Sequence, residues 1–259
     1  MGADFTFSYA TLMGFLFTLA RVSGVFALLP LAAFRAATEA AKIVLSLAFT
    51  VILWPEWKSP ALANITIGGI VAGLAAEMTL GLAIGLVVAI VLEVFQVAAQ
   101  IVSLQAGLGY ASTIDPTSGA DSTVLITLAQ LTAGLLFFAT GADRMLVKVM
   151  ADSLRLCPPE SFTLKHGWAD AIVRFSSGIF SAGLRLAAPI VALLLLADVS
   201  LAVLGRMQAQ LHLVSLTMPV KLAATVLLLS VTIAFQPGFF ESNMSSAVRL
   251  MESILRSAR

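Results

Sequence analysis

ITIGGIVAGLAAEMTLGLAIGLVVAIVLEVFQVAAQIVSLQAGLGYASTIDP, residues 65–116, decides how this chain is read. As a helix at about 1.5 Å per residue it would reach roughly 75 Å, more than twice a hydrocarbon core of about 30 Å. A single crossing does not account for it. Counting by fours from Gly69 gives Gly73, Glu77, Gly81, Gly85, Ala89 and Glu93, a row of small residues interrupted by two carboxylates. Small residues at this spacing let helix backbones approach closely where lipid offers no hydrophobic drive. The row therefore predicts a tightly packed helix face.

Further along, Glu93, Gln96, Gln100, Ser103 and Gly107 recur at spacings of three and four, on one helical face. A polar stripe of this kind faces other polar helices or a water-lined path, and both readings stand. Carboxamides such as Gln96, Gln100 and Gln105 perform no acid–base chemistry, which speaks against a proton relay. The region from Gln96 to Asp121 is expected to be a re-entrant or loop element. Its glycine-rich part, Gly107 to Asp121, has a proline, two aspartates and no lysine or arginine. Glycine permits positive φ and close backbone contact there, so this is the candidate functional loop.

The rest of the chain has the same character. Of 259 residues, 59% are hydrophobic and 11% charged, with a mean hydropathy of +1.01. Soluble chains run nearer a quarter charged. Apolar blocks of membrane-spanning length predict an all-α integral membrane protein with about six hydrophobic helices, whereas an outer-membrane barrel would alternate residue by residue. The first block, Tyr9 to Ala33, follows no basic segment and reads as a retained helix, not a signal peptide. Cys157 is the lone cysteine and His166 and His212 lie apart, so no metal or thiol site is expected.

Charges inside apolar blocks mark positions that need protein or water around them. Arg21 is one, open to a structural ion pair or to lining a conduit; Arg185 and Asp198 are others. A second block, Ile43 to Trp54, ends at Trp54-Pro55-Glu56-Trp57-Lys58, an interfacial anchor. Residues 122–140 make a clean span. Met145, Leu146, Val149, Met150 and Leu154 oppose Lys148, Asp152 and Arg155, predicting an interfacial amphipathic helix. Val173 to Leu204 and Leu213 to Phe235 complete the crossings, with a polar turn after Arg206, and Pro237-Gly238 ends the last one. The tail, with Met244, Val248, Met251 and Leu255 on one face, is expected on the membrane surface or on a partner. With the N-terminus inside, nine lysines and arginines fall on the cytoplasmic side and four opposite, so both termini are expected in the cytoplasm.

Several of these residues recur in a known order. Arg21 and Pro30 are followed by Glu77, Gly81 and Gly85. Gln105, Gly107, Ala111, Asp115-Pro116 and Ser118-Gly119 come next, then Leu136-Phe137-Phe138 before Gly141, and Ser153 with Pro158. The C-terminal third adds Arg185, Pro189, Asp198, Arg206 and Pro219-Val220-Lys221. In order and spacing the chain resembles the FliR family of type III secretion export-gate proteins. It departs from the family after Arg206, at Ala36-Ala37-Thr38 and at Ala142-Asp143. The motif Asp115 to Gly119 leans toward flagellar members over virulence-secretion relatives.

The resemblance implies a non-enzymatic subunit of the bacterial inner membrane, at the flagellar basal body, without cofactor or nucleic acid. It implies assembly with FliP and FliQ, docking of FlhB and FlhA, and passage of unfolded flagellar export substrates. It divides the chain into a FliP-like part, 1–170, and a FliQ-like hairpin with a tail, 171–259. It makes residues 105–121 a plug, with Gln105, Gly107, Leu108, Gly109, Tyr110, Asp115 and Pro116 as gating residues. Arg21, Glu77, Gly81, Gly85, Glu93, Gln96, Gln100, Arg185, Asp198 and Arg206 are the expected assembly or buried polar residues. The alternative class is a secondary transporter with Glu77, Glu93, Arg21 and Asp198 as an ion or substrate site. Such folds show inverted repeats, and the Gly69 to Glu93 row has no second copy. An intramembrane hydrolase would need a histidine or lysine beside Ser103 or Ser118.

Overall fold

Long apolar runs must satisfy their backbone N–H and C=O groups within the segment, and a helix does this turn by turn. The computed structural model describes residues 9–30, 39–57, 66–108, 124–159, 167–207 and 213–257, and among them every regular element is helical. Helix α1 spans Tyr9–Leu28, α2 Glu39–Ile52, α3 Ile67–Ala106, α4 Val124–Ala139, α5 Ala142–Leu156, α6 Trp168–Met207, α7 Leu213–Thr232 and α8 Gln236–Ser257. Short 3-10 turns cover Trp54–Glu56 and Ile233–Phe235. Four stretches, 11–28, 67–106, 168–206 and 219–256, are long and apolar enough to cross a membrane; a fifth arises if α4 and α5 count as one broken span. The protein is an all-α membrane protein. The six apolar helices expected from sequence are α1, α2, α3, α4, α6 and α7, with α2 the short one at 14 residues.

The deciding stretch forms one helix of 40 residues, about 60 Å long. A loop or re-entrant element beginning at Gln96 is thereby corrected. Residues 96–106 contain no glycine or proline and continue the helix to Ala106. It stops where glycine allows. Gly107 takes φ +79°, its N–H donates to the Leu104 carbonyl at 3.1 Å, and the Leu108 N–H donates to the Ser103 carbonyl at 3.0 Å. This is a Schellman cap, which consumes two carbonyls of the last turn.

The chain packs as two units, neither contiguous in sequence. The first holds Met1–Ile90, Gly141–Ser176 and Met244–Arg259; the second holds Val91–Thr140 and Ser177–Asn243. The expected division at residue 170 describes likeness to other proteins, and packing follows other boundaries.

In the first unit the glycine row of α3 lies against α1. A Cβ at Gly81 would sit 2.0 Å from the Arg21 carbonyl oxygen, and one at Gly85 would sit 2.6 Å from that of Val25. Only hydrogen fits at these positions. The facing residues advance together, Phe17 with Gly73, Arg21 with Gly81 and Val25 with Gly85, so α1 and α3 run parallel. The chain returns between them along α2, where Phe26 meets Phe49 at 5.0 Å and Phe15 meets Trp57 at 5.2 Å in antiparallel order.

The expectation for the tail is corrected here. Met244, Ala247, Met251 and Leu255 are buried, in the part of α8 that belongs to the first unit. Leu146, Val149, Met150 and Leu154 of α5 are buried likewise, so its apolar face is also core. Both stripes remove their apolar area from water within their own unit.

In the second unit Ala98, Val102 and Ala106 of α3 pack with Leu125 of α4 and with Ala187, Ile190 and Leu194 of α6; Leu228 and Leu229 of α7 lie against this core. The α6 residues at spacings of three and four form a narrow stripe, while Phe180, Leu184, Leu196, Val199 and Val203 stay exposed. Pro237 does not end a crossing. It stands in the first turn of α8, where a missing N–H has no partner to lose.

Candidate functional site

Among the described residues, two polar centres stand out, one in each unit. The first surrounds Arg21, whose side chain is 2% exposed. Its Nε donates to Glu77 Oε2 at 2.5 Å, Nη1 to Ser153 Oγ at 3.1 Å and Nη2 to the Cys157 carbonyl at 2.8 Å. Ser153 Oγ passes a bond on to the Met150 carbonyl, and Cys157 Sγ lies 3.4 Å from the Leu255 carbonyl. One guanidinium thus fastens α1 to α3, to α5 and to the turn after α5. The structural ion-pair reading of Arg21 is the one the geometry supports. The pair supplies the charge compensation that a buried cation requires, and additional hydrogen bonds make such a burial tolerable. Within this centre, Glu77 Oε1 is buried without a hydrogen-bond partner among the described residues.

The second centre joins α3, α6 and α7. Lys221 Nζ lies 2.6 Å from Asp198 Oδ1, Gln105 Nε2 donates to Asp198 Oδ2 at 3.0 Å, and the Gln105 carbonyl accepts from Lys221 Nζ at 3.5 Å. The Lys221 ammonium meets one of the orphan carbonyls at the C-terminus of α3, where the helix dipole favours a cation. This centre is less enclosed: Asp198 is 31% exposed and Lys221 15%. Nearby in the same unit, the Gln130 amide donates to Gln96 Oε1 at 2.6 Å, which gives the buried Gln96 of the polar stripe a carboxamide partner on α4.

The expected site residues therefore separate. Arg21, Glu77, Gly81 and Gly85 meet in the first centre; Gln105 and Asp198 meet in the second, with Gly107 capping the helix beside them and Leu108 packed on the core. Glu93 is half-buried. Gln100, Arg185 and Arg206, expected as assembly or buried polar residues, are exposed on this chain, where an assembly partner could reach them. On α6 the inward stripe is Ala187, Ile190 and Leu194, and Arg185 lies off it. Gly109, Tyr110, Asp115 and Pro116 lie outside the described residues, as does Ser118. The four residues of a transporter site are not left available together: Glu77 is taken by Arg21 and Asp198 by Lys221.

Sequence reasoning did not find Ser153, Lys221 or Gln130 as partners. Ser153 carried a faint signal, because it interrupts the apolar stripe Leu146, Val149, Met150 and Leu154 on α5.

The second unit also holds a half-open cavity of about 210 Å³, with walls from Phe95 and Val102 of α3, Leu125 of α4, Ile190 of α6 and Leu229 of α7, and with Gln236 of α8 on its lining.

Fold and centres define a class: a multi-helix membrane protein whose buried polar groups tie helices to one another. The chain belongs to the family of bacterial export proteins, family 1, whose model matches residues 12–247. Over 158 residues it is 30% identical to the flagellar biosynthetic protein FliR of Pectobacterium carotovorum subsp. carotovorum, covering 61% of this chain and 60% of that protein. The FliR protein of Escherichia coli strain K12 is 29% identical over 160 residues, 62% of this chain and 61% of the relative. The surface presentation of antigens protein SpaR of Shigella sonnei is 27% identical over 128 residues, 49% of each chain. The matched region spans about 60% of the length of the flagellar relatives.

Proposed function

We propose that this chain is a non-enzymatic subunit of the flagellar type III protein export gate in the bacterial inner membrane, forming with FliP and FliQ homologues the entrance of the protein-conducting channel. Homologues of FlhB and FlhA dock on that assembly, and unfolded flagellar substrates pass through it. The observation that carries this reading is the family match over residues 12–247. A flagellar assignment is favoured over a virulence-secretion one because the FliR likeness extends over 61% of the chain and the SpaR likeness over 49%.

In this reading residues 105–121 are the plug. The geometry around its root is consistent with that role: a Schellman cap releases the chain from α3 at Gly107, and Asp198 and Lys221 hold the last helical turn at Gln105. A loop anchored at a fastened helix end can be displaced by substrate without unravelling the helix. Deleting residues 107–115 in the full complex tests the assignment. The expected outcome is an assembled gate that leaks small solutes across the membrane. A deletion that assembles and does not leak removes the plug reading. Failure of the full chain to co-purify with FliP-like and FliQ-like subunits removes the gate reading itself.

A further inference from the structure

We propose that the cavity of the second unit is a binding site for the acyl chain of a membrane phospholipid. Its lining is apolar except at Thr132, Ser230, Thr232 and Gln236. The three hydroxyls are already spent on their own helices: Thr132 donates to the Leu128 carbonyl at 2.8 Å, Ser230 to that of Leu227 at 2.6 Å and Thr232 to that of Leu229 at 3.1 Å. What remains toward the cavity is hydrocarbon and one side-chain amide.

Water does not suit such a space. A buried water needs two to four polar partners, and a dry apolar cavity of about 150 Å³ takes benzene or xenon instead of water. At about 210 Å³ this one is larger. Its lining includes Leu128, 50% exposed, and Ile233, 60% exposed, so it borders the outer apolar surface of the unit. In a protein whose helices are built to cross a bilayer, the molecules that cover such a surface are lipid acyl chains, and a flexible chain can enter from there. Gln236 adds a polar handle. Its Oε1 is buried without a partner among the described residues, and the amide presents either an acceptor or two donors by turning over. A phospholipid ester carbonyl is a fitting acceptor for those donors.

A phospholipid carrying a diazirine in its acyl chain, incorporated in nanodiscs with the full-length chain, tests the site. The expected result is light-induced attachment to peptides holding Val102, Leu125 and Ile190, which line the cavity. Filling the space with Ala99→Leu or Ala129→Leu is expected to lower that attachment about tenfold, the equivalent of a couple of displaced methylenes, while the thermal melting point stays level or rises. Attachment restricted to the exposed faces of α6 and α7 overturns the proposal. So does attachment at the cavity peptides that both filling variants leave unchanged. Photo-crosslinking groups at Leu128 that capture a protein chain in native membranes, with no lipid attachment at the cavity, give the space to a neighbouring subunit and also overturn it.

Discussion

The two polar centres differ in how completely they are enclosed. Arg21 and Glu77 are 2% and 1% exposed, whereas Lys221 and Asp198 are 15% and 31% exposed. The first is set among backbones so close that only glycine hydrogens fit between them. The second sits at a helix end, beside a glycine cap and in the unit that contains a cavity. Charge buried without access to water cannot be exchanged for hydration, so the first centre enforces one arrangement of its helices. The second centre is less enclosed and fastens the last turn of α3 at one helix end.

The sharpest test of that contrast is Arg21→Met, which strands the Glu77 carboxylate. It is expected to cost about 3–5 kcal/mol, read as loss of folded protein and of complex yield. Adding Glu77→Leu is expected to restore most of it, since an apolar pair of similar volume replaces a compensated one. Normal assembly of the single variant with blocked secretion would mean that the first centre does not enforce one arrangement of its helices.

A somewhat smaller loss follows from Gly81→Val. The added Cβ meets the Arg21 carbonyl at 2.0 Å, a backbone atom that cannot turn aside, and overpacking of this type costs about 3 kcal/mol. Measured by thermal melting, it should exceed the effect of the same change at Gly134, where nothing lies within 4 Å. Equal effects would mean that α1 and α3 are free to separate.

Asp198→Ala releases Gln105 and Lys221 together, at about 1 kcal/mol for a polar contact of this type between membrane helices. The more telling readout is local: hydrogen exchange of the Gly107 and Leu108 amides, which cap α3, should quicken while the first unit stays protected. Unchanged exchange would separate the second centre from the root of the loop.

The smallest expected effect belongs to Glu56→Gln, which weakens the surface pair between Glu56 and Arg155. Exposed pairs of this kind contribute little, so melting should not shift resolvably. A large shift would make this surface contact a third fastening of the first unit.

Much of the fold is written in local pattern. Apolar runs near bilayer length and the four-residue row from Gly69 are properties of neighbouring residues, and they specify helices and a close-packed face. Gly107 was legible as the start of a glycine-rich segment, because left-handed φ is a property of one residue, but the helix, expected to give way at Gln96, runs on to Ala106. What was not legible is which partner each face finds. Glu77 is 56 residues from Arg21 and Ser153 is 132 away, and no periodicity connects them. The stripes of α5 and of the tail show the same limit: their pattern states that one face leaves water but not what covers it, and membrane, partner and own core leave the same signature.

The amino-acid sequence by itself therefore determined an all-helical membrane chain, the places of its apolar runs, the glycine face and the need of Arg21 for protein or water around it. Tertiary structure alone decided that α1 and α3 lie parallel at backbone contact, that Arg21 is held by Glu77, Ser153 and the Cys157 carbonyl, and that Asp198 and Lys221 secure the end of α3. The physical reason is range. Hydrogen bonding along a helix and the preference for an apolar surrounding act on adjacent residues, whereas ion pairing and packing act on whatever the folded chain brings together.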